Sequence, residues 1–280
     1  MFIRRWLVAM TLALTTGVCW PVLSLAQVSP PSACLKTAIY FVNGVTTTLD
    51  EARLNAGKLE MEVVTQLGVT LAQTNVCPEF FLNYNPTSGA TQDFLEASQQ
   101  RLGLDPSSFW KGLEGAGLYG PAIIQQALQG PMTSANQIDQ ATVQRHATAY
   151  QAQIATPACR RVLVVPHSQG NLYTNQSYTL VNQSHVSALK IVGVATPASE
   201  VKGNGRYRTS TTDVLIGAIR LVLLNTLTSN TNWGTNPLLM SPIYSGGHSF
   251  IGYLSFEPSR TDILNDIGLS LTALASVNPC

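Results

Sequence analysis

Short apolar runs alternate with longer amphipathic segments along most of the chain. Runs rich in Val, Ile, Phe and Leu indicate buried strands, and apolar residues spaced by three and four indicate helices. We predict strands at residues 37–42, 79–84, 162–165 and 188–195, a weaker strand at 206–210, and helices at 47–68, 215–227 and 261–277. Strands that alternate with helices predict an α/β fold, with a mostly parallel central sheet flanked by helices.

The first predicted helix has the clearest boundaries. Thr48 and Glu51 form a capping box at its start, and Gly68 is a natural stop at its end. Its apolar face is expected to consist of Leu54, Leu59, Met61, Val63, Val64 and Leu67.

Residues 91–157 form a connection too long for a simple crossover helix. Its first half is apolar and contains Phe109 and Trp110, and its second half, from Ser134, predicts a long helix with a polar face. We therefore predict a helical insert before the strand at 162–165. It could be a lid in which Phe109 and Trp110 bind an acyl or other apolar group, or a set of ordinary core-packing helices, and the sequence leaves both open.

The start of the chain and its charge narrow the class of protein. Residues 1–26 predict a secretory signal, because Arg4 and Arg5 precede an apolar run and Ser24-Leu25-Ala26 has small residues at the cleavage positions. Residues 27–280 then suit a single domain. The net charge of +1 and the charged fraction of 11% give no basic surface for nucleic acid. We predict a secreted or periplasmic protein.

Four cysteines follow the predicted signal, namely Cys34, Cys77, Cys159 and Cys280. An even number in an exported chain predicts two disulfides, with three connectivities open. The first three lie just before predicted strands, which places them at the N-terminal edge of the sheet, opposite the edge where open α/β sheets have their active sites. Without a C-x-x-C pair or a His/Cys cluster at metal spacing, we predict no metal site.

The strand at 162–165 stops abruptly at Pro166-His167-Ser168-Gln169-Gly170, and an amphipathic segment follows. A serine on a sharp strand-to-helix turn holds its hydroxyl clear of the backbone, beside a helix N-terminus that stabilises developing negative charge. Gly170 suits such a turn because strand and helix must pass closely there. We therefore predict that Ser168 is a nucleophile.

A serine nucleophile needs a general base, usually a histidine oriented by a carboxylate. Of the four histidines, His146 lies in the predicted insert, and His167 is adjacent to Ser168 with its side chain expected to point away from the hydroxyl. His185 is expected to be a solvated cap after the helix that follows the serine. His248, in a glycine-containing loop, is left as the predicted base.

The stretch from Pro166 to Gly170 resembles the G-x-S-x-G nucleophile elbow of the α/β-hydrolases, the family of lipases, esterases and related enzymes, with Pro166 in place of the first glycine. The resemblance implies an α/β-hydrolase fold with the helical insert before the nucleophile strand. Residues 37–42 then match the family's third strand and residues 162–165 its fifth, and the two leading antiparallel strands are absent or reduced.

The resemblance also implies the chain order serine, acid, histidine. Only two carboxylates, Glu200 and Asp213, lie between Ser168 and His248. We favour Asp213 because it follows the weaker strand and precedes a helix, where the family places its acid. Glu200 remains the alternative, although it could be a solvated loop charge near Lys202.

Backbone N–H groups form the oxyanion hole in this family. The resemblance implies that Gln169, the residue after the nucleophile, supplies one donor. Val45 best matches the position of the second, because Asn43-Gly44-Val45 resembles the family's His-Gly-x, with Asn43 in place of the histidine.

These expectations describe a serine hydrolase that cleaves carboxylic esters through an acyl-enzyme, with no metal or organic cofactor. Its substrate would be a small-molecule, lipid or polymer ester, and the insert is a candidate for contact with lipid or a membrane surface. The same residues could serve acyl transfer or amide hydrolysis. From another class, a non-catalytic binding protein on this fold is the alternative.

Overall fold

Five parallel strands form the central sheet of the computed structural model, which describes residues 34–44, 47–86, 140–222, 225–232 and 247–280. The strands are β1 (Leu35–Val42), β2 (Val76–Asn83), β3 (Arg161–Pro166), β4 (Leu189–Val194) and β5 (Arg206–Arg208). Their order across the sheet is β2-β1-β3-β4-β5. The predicted α/β architecture with a parallel sheet is therefore confirmed.

Helices cover the sheet on both sides. They are α1 (Leu49–Gln66), α2 (Gly68–Gln73), α3 (Gln140–Ile154), α4 (Gly170–Leu180), α5 (Val214–Val222), α6 (Phe250–Tyr253) and α7 (Ser259–Ala275), with short 3₁₀ helices at Val186–Ala188 and Lys202–Asn204. The predicted capping box starts α1. The Thr48 hydroxyl accepts from the Glu51 N–H, and the Glu51 carboxylate accepts from the Thr48 N–H.

The strand side chains alternate between two apolar layers. On one face, Phe41 and Val165 belong to a buried cluster with residues of α1, α2, α5, α6 and α7. On the other face, Tyr40 and Val164 pack with Tyr150 of α3 and with residues at the end of α4. The sheet is therefore the middle of three layers.

The connections between strands reverse direction once. The path from β1 to β2 runs one way across the sheet, and the paths from β2 to β3 and from β3 to β4 run the other way. Accordingly α1 and α2 cover one face and α3 and α4 the other, as right-handed crossovers require. The reversal lies between β1 and β3, which pair from Thr37–Arg161 to Val42–Pro166. Their carboxyl ends form the switch point, where open α/β sheets bind ligands.

Two disulfides cross-link the chain at the opposite, N-terminal edge of the sheet. Cys34 pairs with Cys77, and Cys159 pairs with Cys280. Cys34 directly precedes β1, Cys77 is near the start of β2, and Cys159 lies just before β3. The predictions of two disulfides and of their place at the N-terminal edge are confirmed.

The described end of the predicted insert contains a helix that packs against the core. Residues 140–154 form α3, which packs on β3 and α4 and buries Tyr150 and Ile154 completely. Residues 91–139 and the predicted signal at 1–26 lie outside the described residues, so those predictions stay predictions. Among the helices that the structure describes, none has the length and apolar character needed to cross a membrane.

Candidate active site

The turn after β3 is as sharp as a nucleophile elbow requires. Ser168 has a backbone φ of 53°, in the left-handed region that residues with side chains seldom adopt. Its N–H donates to the Val194 carbonyl at 3.0 Å, and α4 begins at Gly170. Strand β4 and the first turn of α4 therefore hold Ser168 at the carboxyl edge of the sheet.

Two glycines let other backbone segments come close to this turn. A Cβ on Gly170 would lie 2.6 Å from the carbonyl oxygen of Val42, so only glycine allows α4 to start this near the end of β1. A Cβ on Gly44 would lie 2.5 Å from the Cβ of Ser168. The loop after β1 therefore passes directly beside the candidate nucleophile.

Three side chains from distant parts of the sequence form a hydrogen-bonded chain. The Oγ of Ser168 lies 2.9 Å from Nε2 of His248, and Nδ1 of His248 lies 3.1 and 3.0 Å from the two carboxylate oxygens of Asp213. Because a carboxylate can only accept, Nδ1 carries the proton and Nε2 accepts from the serine hydroxyl. This geometry suits a general base acting on Ser168.

Further donors hold Asp213 in place. It caps α5 with Oδ1, which accepts from the Ile216 N–H at 3.0 Å, and its Oδ2 accepts from the Tyr253 hydroxyl at 2.8 Å. The Tyr253 hydroxyl in turn accepts from the Ser210 N–H at 2.7 Å. Burial, and then the charge of Asp213, raise the pKa of Tyr253 well above its ordinary value, so the hydroxyl stays protonated and donates.

Glu200, the alternative acid, lies elsewhere. Its carboxylate pairs with Lys202 at 2.6 Å, and its side chain is 57% exposed. The structure therefore brings Asp213 and not Glu200 to His248.

Two other histidines lie away from the elbow. His146 is fully buried in α3, with its ring centroid 6.2 Å from that of Tyr173. His185 follows the end of α4 and precedes the first 3₁₀ helix, and its Nδ1 lies 2.6 Å from Nε2 of Gln151. We expected His185 to be a solvated cap from the sequence, and this contact with α3 was not foreseen.

His167 links the elbow to the loop that carries His248. Its Nε2 lies 2.8 Å from the backbone carbonyl oxygen of His248, and the two rings have centroids 4.9 Å apart. Since a carbonyl can only accept, His167 donates from Nε2. Burial, and then the neighbouring His248, lower the pKa of His167 well below its ordinary value, so the ring is neutral. Sequence reasoning set His167 aside as a base and missed this contact.

Asn171 supports the turn from the first turn of α4. Its Nδ2 donates to the carbonyl of Ser168 at 2.9 Å and to that of Val194 at 3.0 Å. The sequence carried only a weak signal for it, which is a short polar side chain close to the predicted nucleophile.

One of the two predicted oxyanion donors lies within the described residues. The backbone N–H of Gln169 has no hydrogen-bond partner in the part of the chain that the structure describes, so it can donate to a ligand oxygen. Val45, the predicted second donor, lies outside the described residues, as do Phe109 and Trp110. Their predicted roles stay predictions.

The described ranges contain no group of three or more His, Cys, Asp and Glu side chains that could hold a metal ion. Comparisons of the chain with protein-family models, with curated proteins and with solved structures found no match. The geometry of the site is therefore the main guide to its chemistry.

Proposed function

We propose that the protein is a secreted or periplasmic serine hydrolase of the α/β-hydrolase type, which cleaves carboxylic esters through an acyl-enzyme. The hydrogen-bonded chain from Ser168 through His248 to Asp213 carries this proposal. It lies at the carboxyl edge of the sheet, at the switch point between β1 and β3.

Several features support the α/β-hydrolase type. Ser168 follows a parallel strand, has a left-handed backbone conformation and precedes a helix that begins at Gly170. The chain order of Ser168, Asp213 and His248 is the one that the family uses. The two disulfides are typical of exported proteins and support the proposed location.

In the first half of the proposed reaction, Ser168 Oγ attacks the ester carbonyl carbon while its proton moves to Nε2 of His248. The carboxylate of Asp213 stabilises the imidazolium that forms. The carbonyl oxygen becomes an oxyanion, which accepts from the N–H of Gln169 and from that of Val45. When the intermediate collapses, the ester C–O bond breaks, the alcohol takes the proton from His248, and the acyl group stays on Ser168.

In the second half, a water molecule attacks the acyl group while its proton moves to His248. The acid leaves, and Ser168 regains its proton. Acyl transfer differs only in that an alcohol replaces water at this step, and amide hydrolysis differs only in the leaving group of the first step. The same side chains therefore serve all three reactions, and substrates must distinguish them.

A substrate comparison tests the proposal. We expect the purified protein to hydrolyse p-nitrophenyl esters, with Ser168→Ala as the inactive reference. An amidase would cleave the matching p-nitroanilide at a rate comparable to or faster than its rate on the ester. Formation of a new ester from added alcohol, at the expense of free acid, would indicate a transferase. A protein that turns over none of these substrates would contradict the proposed function.

The predicted substrate contacts call for esters of graded chain length. If Phe109 and Trp110 bind the acyl group, changing both to Ala should lower the kcat/KM for a p-nitrophenyl palmitate far more than for the acetate, because only the long chain reaches an apolar surface. Equal losses for the two esters would contradict the acyl-binding role.

A further inference from the structure

A network of buried amides joins the ends of β1 and β2 to the elbow. Asn43, fully buried directly after β1, donates from Nδ2 to the Asn85 carbonyl at 2.9 Å, and its Oδ1 accepts from the Asn85 N–H at 2.7 Å. Asn85, just past β2, donates from its own Nδ2 to Oε1 of Gln169 at 3.2 Å. The residue that follows the candidate nucleophile is therefore tied to two neighbouring strands.

Asn43 also holds the loop that passes beside the serine. Its Nδ2 donates to the Gly44 carbonyl at 3.0 Å, and a Cβ on Gly44 would lie 2.5 Å from the Cβ of Ser168. The same side-chain amide therefore binds both Asn85 and the backbone next to the candidate nucleophile.

The network does not occupy the backbone N–H that would donate to a substrate oxygen. Asn85 holds Gln169 through the end of its side chain, whereas the backbone N–H of Gln169 has no partner among the residues described. Donors that are already fixed stabilise developing charge better than donors that must reorganise during the reaction. A buried set of hydrogen bonds at this place is suited to holding such a donor.

We propose that Asn43 and Asn85 are positioning residues that preorganise the oxyanion hole, an inference that rests on the proposed hydrolase function. Among the described residues, neither side chain bonds to Ser168 or His248. Asn43 acts by holding Asn85, and Asn85 acts through Gln169. Asn43 stands where the family resemblance implies a histidine, and the network gives the asparagine a role of its own at that position.

Asn85→Leu and Asn43→Ala test this role. Leu has the same branched arrangement of heavy atoms as Asn, and Oδ1 of Asn85 has no hydrogen-bond partner within the described ranges. The change therefore removes the side-chain hydrogen bond to Gln169 and keeps the backbone bonds of residue 85 to Asn43. Asn43→Ala removes the rest of the network. Asn175→Ala is the matched control, because Asn175 also accepts from a backbone N–H and donates to a backbone carbonyl, away from the site.

We expect kcat for a p-nitrophenyl ester to fall about 10- to 100-fold in Asn85→Leu and in Asn43→Ala, because a misplaced oxyanion donor weakens the transition state. KM should change less than about 3-fold, and the pH midpoint of kcat/KM should stay at the wild-type value. Asn175→Ala should keep the wild-type kcat. If Asn43 and Asn85 had only a structural role, the substitutions would lower the melting temperature and the amount of titratable active sites. They would not lower kcat per titrated site.

Wild-type kcat in both variants would overturn the inference and leave the proposed hydrolase intact. If Asn43→Ala does not fold, Asn85→Leu alone decides. A wild-type protein that cleaves no ester and does not react with a fluorophosphonate would overturn the proposed function and this inference with it.

Discussion

The two sides of the candidate site are held by different means. In the elbow region, residues 166–171, the backbone places Ser168 through a left-handed turn and a hydrogen bond to Val194. In the acid–base region, which we define as Asp213, His248 and the side chains that hold them, the geometry depends on contacts between residues far apart in sequence. A local backbone feature leaves a motif in the sequence, whereas distant side-chain contacts leave none.

A second side chain joins the two regions, in addition to Ser168, whose Oγ lies 2.9 Å from Nε2 of His248. His167 belongs to the elbow, and its ring donates to the backbone carbonyl of His248. The alignment of the nucleophile with the base therefore depends on a contact between the regions as well as on the structure within each. Variants of single residues can separate these contributions.

The largest effect should come from the elbow itself. Ser168→Ala removes the nucleophile, and we expect ester hydrolysis to fall on the order of 10⁴- to 10⁶-fold. Ser177→Ala is the matched control, because Ser177 is a buried serine of α4 whose hydroxyl, among the described residues, donates to the backbone carbonyls of Val143 and Tyr173. Steady-state kinetics would check this. Comparable losses in the two variants would mean that Ser168 has a structural role only.

The next largest effect should come from the acid. Asp213→Asn keeps the shape of the side chain but stabilises the wrong tautomer of His248, and we expect kcat to fall about 10⁴-fold. Glu200→Gln should leave kcat unchanged, because Glu200 pairs with Lys202 on the surface. The same kinetic assay measures both. The opposite result would assign the acid to Glu200.

Low pH should destabilise the folded protein through His146 of α3, the helix that packs on α4. Burial, and then the charge of Arg145, lower the pKa of His146 from 6.5 to about 4. Between these values the unfolded chain binds a proton that the folded protein does not bind. The free energy of unfolding should therefore fall by about 3 kcal/mol as the pH drops from about 6.5 to about 4.

Urea unfolding at several pH values in this window measures the effect. His146→Gln should reduce the pH dependence, and part of the slope that remains should come from the neutral, buried His167. An equally steep loss of stability in wild type and His146→Gln would show that His146 does not stay unprotonated in the folded protein.

The smallest effect should come from the support of the acid. Tyr253→Phe removes the hydroxyl that donates to Asp213, and we expect kcat to fall about 10-fold, because the carboxylate keeps its bonds to His248 and to the Ile216 N–H. Tyr150→Phe removes an equally buried hydroxyl from the opposite face of the sheet and should leave kcat unchanged. Equal kinetics for wild type and Tyr253→Phe would show that the other contacts of Asp213 are enough to hold its carboxylate in place.

The sheet could be predicted from sequence because its strands are short apolar runs between clear stops. The buried face of helix α1 was harder to predict. Leu59 and Val63 of α1 are buried as expected, but Leu54 and Met61 are 66% and 49% exposed. Leu54 and Met61 lie seven residues apart on a different side of α1 from Leu59 and Val63. Hydrophobicity alone did not show which row of apolar side chains on α1 packs against the sheet.

The residues of the hydrogen-bonded chain could be named because the sequence offers few alternatives. Four histidines and two intervening carboxylates left little choice once Ser168 was recognised. Tyr253, His167 and Asn85 could not be found in this way, because each matters only through a contact with a residue far away in sequence. Such contacts follow from the packing of α6, β2 and the elbow around one edge of the sheet.

Reaction with a fluorophosphonate tests the central claim most directly, because the probe bonds to a serine only when a base activates its hydroxyl. We predict that the native protein is labelled on one peptide, the one that contains Ser168. Ser168→Ala should abolish the labelling, and Asp213→Asn should slow it strongly. Absence of labelling in the folded wild-type protein, or labelling of a different serine, would contradict the claim that Ser168 is an activated nucleophile.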